Sequence, residues 1–113
     1  FYCNLKHAVA ELLARGVGIV RTAQSLSAAS SALGEWEARV NALPIAQGEL
    51  YRHLCENLLI VARLLIEGAT YRTESRGGHY RADYPEASPD FVCHTVQQQG
   101  QPICKKPVET KPV

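Results

Sequence analysis

Methionine is absent from all 113 positions, and the chain opens on Phe1. A translated product begins with methionine, so the expectation is an excised or processed piece of a longer protein. No charged, apolar and small-residue leader opens it. Cysteine is scarce: Cys3, Cys55, Cys93 and Cys104 lie 52, 38 and 11 positions apart, with no CxxC pair. A disulfide-stapled secreted domain of this size carries more, so reduced thiols and a cytoplasmic location are expected. Cys93, His94 and Cys104 would make a metal trio only with a fourth ligand at a recognised spacing. That ligand is missing, and no metal site is expected.

Charge of one sign is also lacking. Twelve Lys and Arg against eleven Asp and Glu leave a formal net charge of +1, and the signs alternate locally. There is no electrostatic footprint for nucleic acid. Long apolar runs are missing too. Leu58 to Ile66 is broken by Arg63 and falls well short of the ~20 residues that span a bilayer, so no membrane partner is expected. No Gly-rich phosphate loop lies between a strand and a helix, and there is no HExxH. Neither a catalytic nor a cofactor-binding residue can therefore be nominated from this chain alone.

What is present is an ordinary globular composition, 46% hydrophobic and 20% charged, in a length that suits one core-forming domain. Leu5, Val9, Leu12, Leu13, Val17 and Val20 recur at helical spacing, predicting a first helix over about 5–21. Gly16 and Gly18 weaken it, and tight contact with another helix explains them better than a flat ligand does. Thr22 is a plausible N-cap for a second helix over about 22–43. Its seam of Leu26, Ala29, Leu33, Trp36, Val40 and Leu43 alternates gaps of three and four, and Pro44 should end it. A third helix is predicted over about 47–75. Its apolar face is read as Leu50, Leu54, Leu58, Val61 and Leu65, widened by Cys55, Leu59, Ala62 and Ile66. Asn57 beside that seam should hydrogen-bond to a neighbouring helix. Gly77-Gly78 should stop the helix.

Beyond it, Pro85 and Pro89 punctuate an irregular stretch. Phe91 to Val96 is β-prone, Gly100 marks a turn, and Ile103-Cys104 can return as a weak strand. The end, KKPVETKPV, is expected to be mobile. The fold class is thus all-α: an antiparallel three-helix bundle with an irregular C-terminal extension that can form a small β-hairpin near 91–104. Residues 1–90 form the bundle with its loop, and residues 91–113 the extension and tail.

The stretch TYRTESRGGHYRADYP, from Thr70 to Pro85, is the densest polar segment of the chain. Ser75, His79 and Asp83 could be drawn as a catalytic triad, but no nucleophile elbow or oxyanion hole accompanies them. Arg72, Glu74, Ser75, Arg76, His79, Arg81 and Asp83 are better read as a docking edge. Guanidinium forks suit bidentate pairing with carboxylates or carbonyls of another surface.

At these residues the chain resembles the flavoproteins of the succinate dehydrogenase, fumarate reductase and L-aspartate oxidase group, whose C-terminal segment carries the string ESRG-x-H-x-x-x-DYP. The likeness extends back to VGIVRT at residues 17–22 and forward to FVCHTV at residues 91–96. VGIVRT and Tyr80 look most like the L-aspartate oxidases of that group. The resemblance implies a parent enzyme that uses FAD to oxidise L-aspartate to iminosuccinate, feeding quinolinate and NAD synthesis. Its flavin and capping domains would be the partners of this helical domain, which would bind no FAD and be inactive alone. Self-association through a bared face is a further expectation. The alternatives are the equivalent domain of a succinate dehydrogenase or fumarate reductase flavoprotein, and a stand-alone helical interaction module.

Overall fold

The computed structural model describes residues 1–43 and 49–109, with the side chain of Glu49 outside that description. Three helices carry the fold: α1 (Tyr2–Gly16), α2 (Ala23–Asn41) and α3 (Glu49–Tyr71). A short 3₁₀ turn at Pro89–Phe91 leads into β1 (Cys93–Val96), which pairs antiparallel with β2 (Cys104–Pro107). Tyr2 meets Tyr51 and Phe1 meets Trp36 at one end of the bundle. At the other end Gly16 meets Ala29. Neighbouring helices therefore run antiparallel.

Each helix is held by what its sequence offers. α2 begins at the expected cap: Thr22 Oγ1 accepts from the Ser25 amide at 3.0 Å, and Ser25 Oγ accepts from the Thr22 amide at 3.0 Å. This is a capping box with serine in the place usually taken by Glu or Gln. Ser25 Oγ also lies 3.0 Å from the Gly16 carbonyl, so the cap ties α2 to the end of α1. The α2 seam is as read, with Leu26, Ala29, Leu33 and Val40 buried and Trp36 and Leu43 partly so. Arg63 of α3 crosses to α2, donating to Ser30 Oγ at 2.6 Å and to Glu37.

The expected helix ends move inward, while α1 starts at Tyr2, three residues ahead of the predicted 5. α1 stops at Gly16, not near residue 21, because Gly16 and Gly18 admit backbone where a side chain would not fit. A Cβ on Gly16 would lie 2.6 Å from Ala29 Cβ, and one on Gly18 would lie 2.5 Å from the Ala14 carbonyl oxygen. The chain leaves the helix there, and Ile19 and Val20 are 89% and 57% exposed. α3 ends at Tyr71, not residue 75, so Gly77-Gly78 is not its stop. α2 ends at Asn41, ahead of Pro44, which lies outside the described residues, as does the start predicted for α3 at residue 47.

The largest correction concerns the face that α3 turns inward. The core is built from Cys55, Leu59, Ala62, Ile66 and Ala69, while Leu50, Leu54, Val61 and Leu65 are 75%, 42%, 56% and 51% exposed. Of the row read as the seam, Leu58 packs against the core and the other four lie outside, while the row read as its widening is the seam. Asn57 is exposed in that outer row rather than bonded to a neighbouring helix. Both rows have helical spacing, and periodicity alone does not rank them.

Phe91, 7% exposed, anchors the extension. Its ring meets Tyr71 edge-on at 5.8 Å, and the Lys105 ammonium sits 4.1 Å from its centroid. β2 thus reaches three residues past the predicted hairpin and takes up Lys105 and Lys106 from the segment expected to be mobile; residues 110–113 lie outside the described ones. Among the described residues no helix is long and apolar enough to cross a membrane.

Candidate functional site, the polar clasp at the end of the bundle

Thr70 to Pro85 lies where the end of α1, the start of α2 and the end of α3 meet. Its chain path is set by two tight turns. The Arg76 and His79 amides and carbonyls bond to each other at 2.8 and 3.0 Å across Gly77-Gly78. Gly77 has φ +59°, the first-position conformation of a type II′ hairpin turn, which glycine adopts without strain. A second turn brings the Tyr84 amide to the Arg81 carbonyl at 3.0 Å. The second turn is stitched by Ser75, whose Oγ lies 2.7 Å from the Tyr84 carbonyl and accepts from the Arg81 amide at 2.9 Å.

Arg81 and Asp83 form the centre. Arg81, 2% exposed, donates from Nε and Nη2 to the two Asp83 oxygens at 3.1 and 2.8 Å. Its Nη1 donates to the Thr70 carbonyl at 2.9 Å, at the C-terminal end of α3. Asp83 Oδ2 in turn accepts from the Ala23 amide at 3.0 Å, at the N-terminal end of α2. Helix ends leave unpaired carbonyls at the C-terminus and unpaired amides at the N-terminus, with matching partial charges. One ion pair therefore complements two helix dipoles of opposite sense. The Arg81 bonds hold the Asp83 carboxyl below its ordinary range, against the opposing effect of burial and with help from the Ala23 amide.

Glu74 is the second knot. It has no exposed surface and accepts from Arg72 Nη1 at 2.7 Å, from Arg76 at 3.1–3.3 Å and from the Ser88 amide at 2.9 Å. Burial would raise its carboxyl. The Arg76 fork, the Ser88 amide and Arg72 outweigh it and hold the group below the ordinary range. Arg72 spends its remaining donors on the extension: Thr95 Oγ1 at 2.9 Å, the Phe91 carbonyl at 3.0 Å and the Cys93 carbonyl. Arg76 reaches the Ser88 carbonyl at 3.1 Å and keeps 43% of its side chain in solvent.

His79 completes the tie to α1. Arg21 Nη1 donates to His79 Nδ1 at 2.8 Å, and His79 Nε2 lies 3.0 Å from the Arg72 carbonyl. Arginine can only donate and a carbonyl can only accept, so these two bonds suit the tautomer with its hydrogen on Nε2. Arg21 also pairs its backbone with Tyr80 and Ala82 at 3.0 and 2.8 Å. Helical spacing placed Arg21 at the end of the first helix and gave it no role. Its place in VGIVRT, the second segment shared with the flavoproteins, was the available signal.

All seven predicted residues are brought together and each bonds within the chain, with Arg76 keeping 43% of its side chain in solvent. Ser75 and His79 both bond elsewhere, so the triad drawing has no geometric basis. In the ribbon, alternation turns neighbouring Cys93 and His94 to opposite faces, and no cluster of three His, Cys, Asp or Glu suited to a metal occurs among the described residues. The arrangement can fasten four segments to one another.

Residues 6–113 match the family described as Fumarate reductase flavoprotein C-term. The chain is 32% identical to an L-aspartate oxidase of a Nostoc species over 86% of its own length and 20% of that protein. It is 32% identical to the L-aspartate oxidase of a Synechocystis species over 75% of the chain and 19% of that protein. A fumarate reductase (CoM/CoB) subunit from Methanothermobacter marburgensis is 37% identical over 66% of the chain and 15% of the relative. The chain thus spans a fifth or less of the length of these curated relatives.

Proposed function

The chain belongs to the fumarate reductase flavoprotein C-terminal family, and from that membership we propose that it is the C-terminal helical domain of an FAD-dependent L-aspartate oxidase. The observation that carries this reading is the 32% identity to an L-aspartate oxidase along 86% of the chain. The parent would convert L-aspartate to iminosuccinate, in the cytoplasm, with the flavin seated on its other domains. Gly77-Gly78 stand in a hairpin turn, and Arg72 and Arg81 are bonded within the chain. No step of the oxidation is therefore assigned to this chain.

The clasp's role in this reading is positional. It holds the end of the bundle and the ribbon in one shape against which the flavin and capping domains pack. Arg76, half in solvent, is the member of the predicted docking edge left to reach outward. The match to a fumarate reductase subunit favours one alternative, a parent that acts on the succinate–fumarate pair. Purified full-length parent tests both. Bound FAD with turnover of L-aspartate supports the oxidase. Turnover of succinate in its place would transfer the domain to the dehydrogenases, and a parent without flavin would overturn both readings.

A further inference from the structure

We propose that the outer face of α3, not the arginine-rich clasp, is the surface on which the preceding part of the flavoprotein chain docks; this rests on the reading above. Leu50, Leu54, Val61, Leu64 and Leu65 are between 42% and 75% exposed, with Asn57 among them. At 100° per residue they fall in one row along the helix, with the charges of Arg52, Glu56, Arg63 and Glu67 on another side. Together with the buried row, apolar side chains cover more than half of the helix circumference. A helix at the surface of a finished domain needs only a stripe of about 100°. α3 has the pattern of a helix covered on two sides.

Three observations choose the occupant. The family is a C-terminal segment, and about four-fifths of the Nostoc and Synechocystis L-aspartate oxidases lies outside the matched span. The Arg72 and Arg81 donors that could have recruited a partner are already bonded within the chain, and only Arg76 among the clasp arginines stays 43% exposed. The exposed row amounts to several hundred Å². That suits an inter-domain contact within one chain, which mass action assists, and falls short of the ~800 Å² each partner of a standard complex contributes. The matching surface is apolar and uncharged, with one hydrogen-bonding group opposite Asn57.

The test is cysteine labelling in the purified full-length flavoprotein, read peptide by peptide by mass spectrometry. Val61→Cys sits in the row, and Glu35→Cys on the exposed face of α2 is the control. Position 61 should react roughly tenfold or more slowly than position 35, at all protein concentrations, since reaction needs local opening of the contact. Equal rates would overturn the proposal. Protection that disappears on dilution would also overturn it, by assigning the face to a second copy. A parent that carries no flavin sinks the functional reading separately, since labelling reports the contact without turnover.

Discussion

Glu74→Gln is the sharpest probe of the clasp. The substitution keeps the side-chain volume but removes the charge and turns one acceptor into a donor facing guanidinium N–H groups. Glu74 has no exposed surface and three donors. Hydrogen bonds to charged groups contribute about 1.5–3 kcal/mol each, and breaking a buried pair costs about 3–5 kcal/mol because the partner charge is stranded. Arg76 is 43% exposed, so its share is discounted for solvent screening. A loss of about 3 kcal/mol follows, which for a domain of this size corresponds to a Tm lower by ~12 °C. Thermal unfolding followed by helical circular dichroism reads it. The pH dependence gives a second reading. Folded Glu74 holds its proton less tightly than unfolded Glu74, so its contribution is complete above the ordinary value of 4.5. It is lost as pH falls through the lower folded value. Acidification through that window should therefore lower the Tm of the parent sequence more steeply than that of E74Q, with Asp83 contributing equally to both. A Tm drop under about 3 °C, or parallel acid curves, would refute the reasoning.

The register of α3 separates two adjacent residues. Ile66→Ala should cost about 2–5 kcal/mol in urea unfolding of this chain, since Ile66 is 1% exposed, whereas Leu65→Ala at 51% exposure should cost under about 1 kcal/mol. The reverse order would restore the seam first read from the sequence. Gly16→Ala should destabilise by about 1–3 kcal/mol despite the better helix propensity of alanine, because its Cβ would lie 2.6 Å from Ala29 Cβ; a stabilised variant would mean that the α1–α2 contact is slack.

The helices themselves were legible because their periodicity is strong, and α2 was read correctly down to its cap. Its seam, Leu26 to Leu43, has small or polar residues opposite, so one apolar row stands out. α3 has two such rows, and choosing between Leu50-Leu54-Leu58-Val61-Leu65 and Cys55-Leu59-Ala62-Ile66 by size favours the bulkier set, of which Leu58 does reach the core. The core took the row with Cys55 and Ala62, as close approach of helices demands small residues at the contact. Sequence alone could not show that the bulkier row was left over. The early end of α1 was missed for a related reason: the Val17 and Val20 spacing continues after Gly16 has already turned the chain out of the helix.

The residues of the clasp stand out in the sequence, but the bonds they make inside the chain do not. Three arginines beside two acids look like donors offered to a partner, because a sequence does not display the acceptors closest to hand. Here those acceptors are the carbonyls left open by the end of α3 and by the ribbon, at Thr70, Arg72, Phe91 and Cys93. Fork-shaped donors are matched to such carbonyls as well as to carboxylates, and burial at the junction makes an unpaired one costly. The polar cluster is consumed in making the bundle end rigid. The plain apolar row, which offers no motif at all, is what remains for a neighbour. A rigid clasp at one end of α3 also serves that row, because a helix fixed at its C-terminus presents its outer face at one angle. On the proposal above, the docking face lies along α3 and the ESRG-x-H-x-x-x-DYP string begins just past its last residue, so the two are coupled through the helix end.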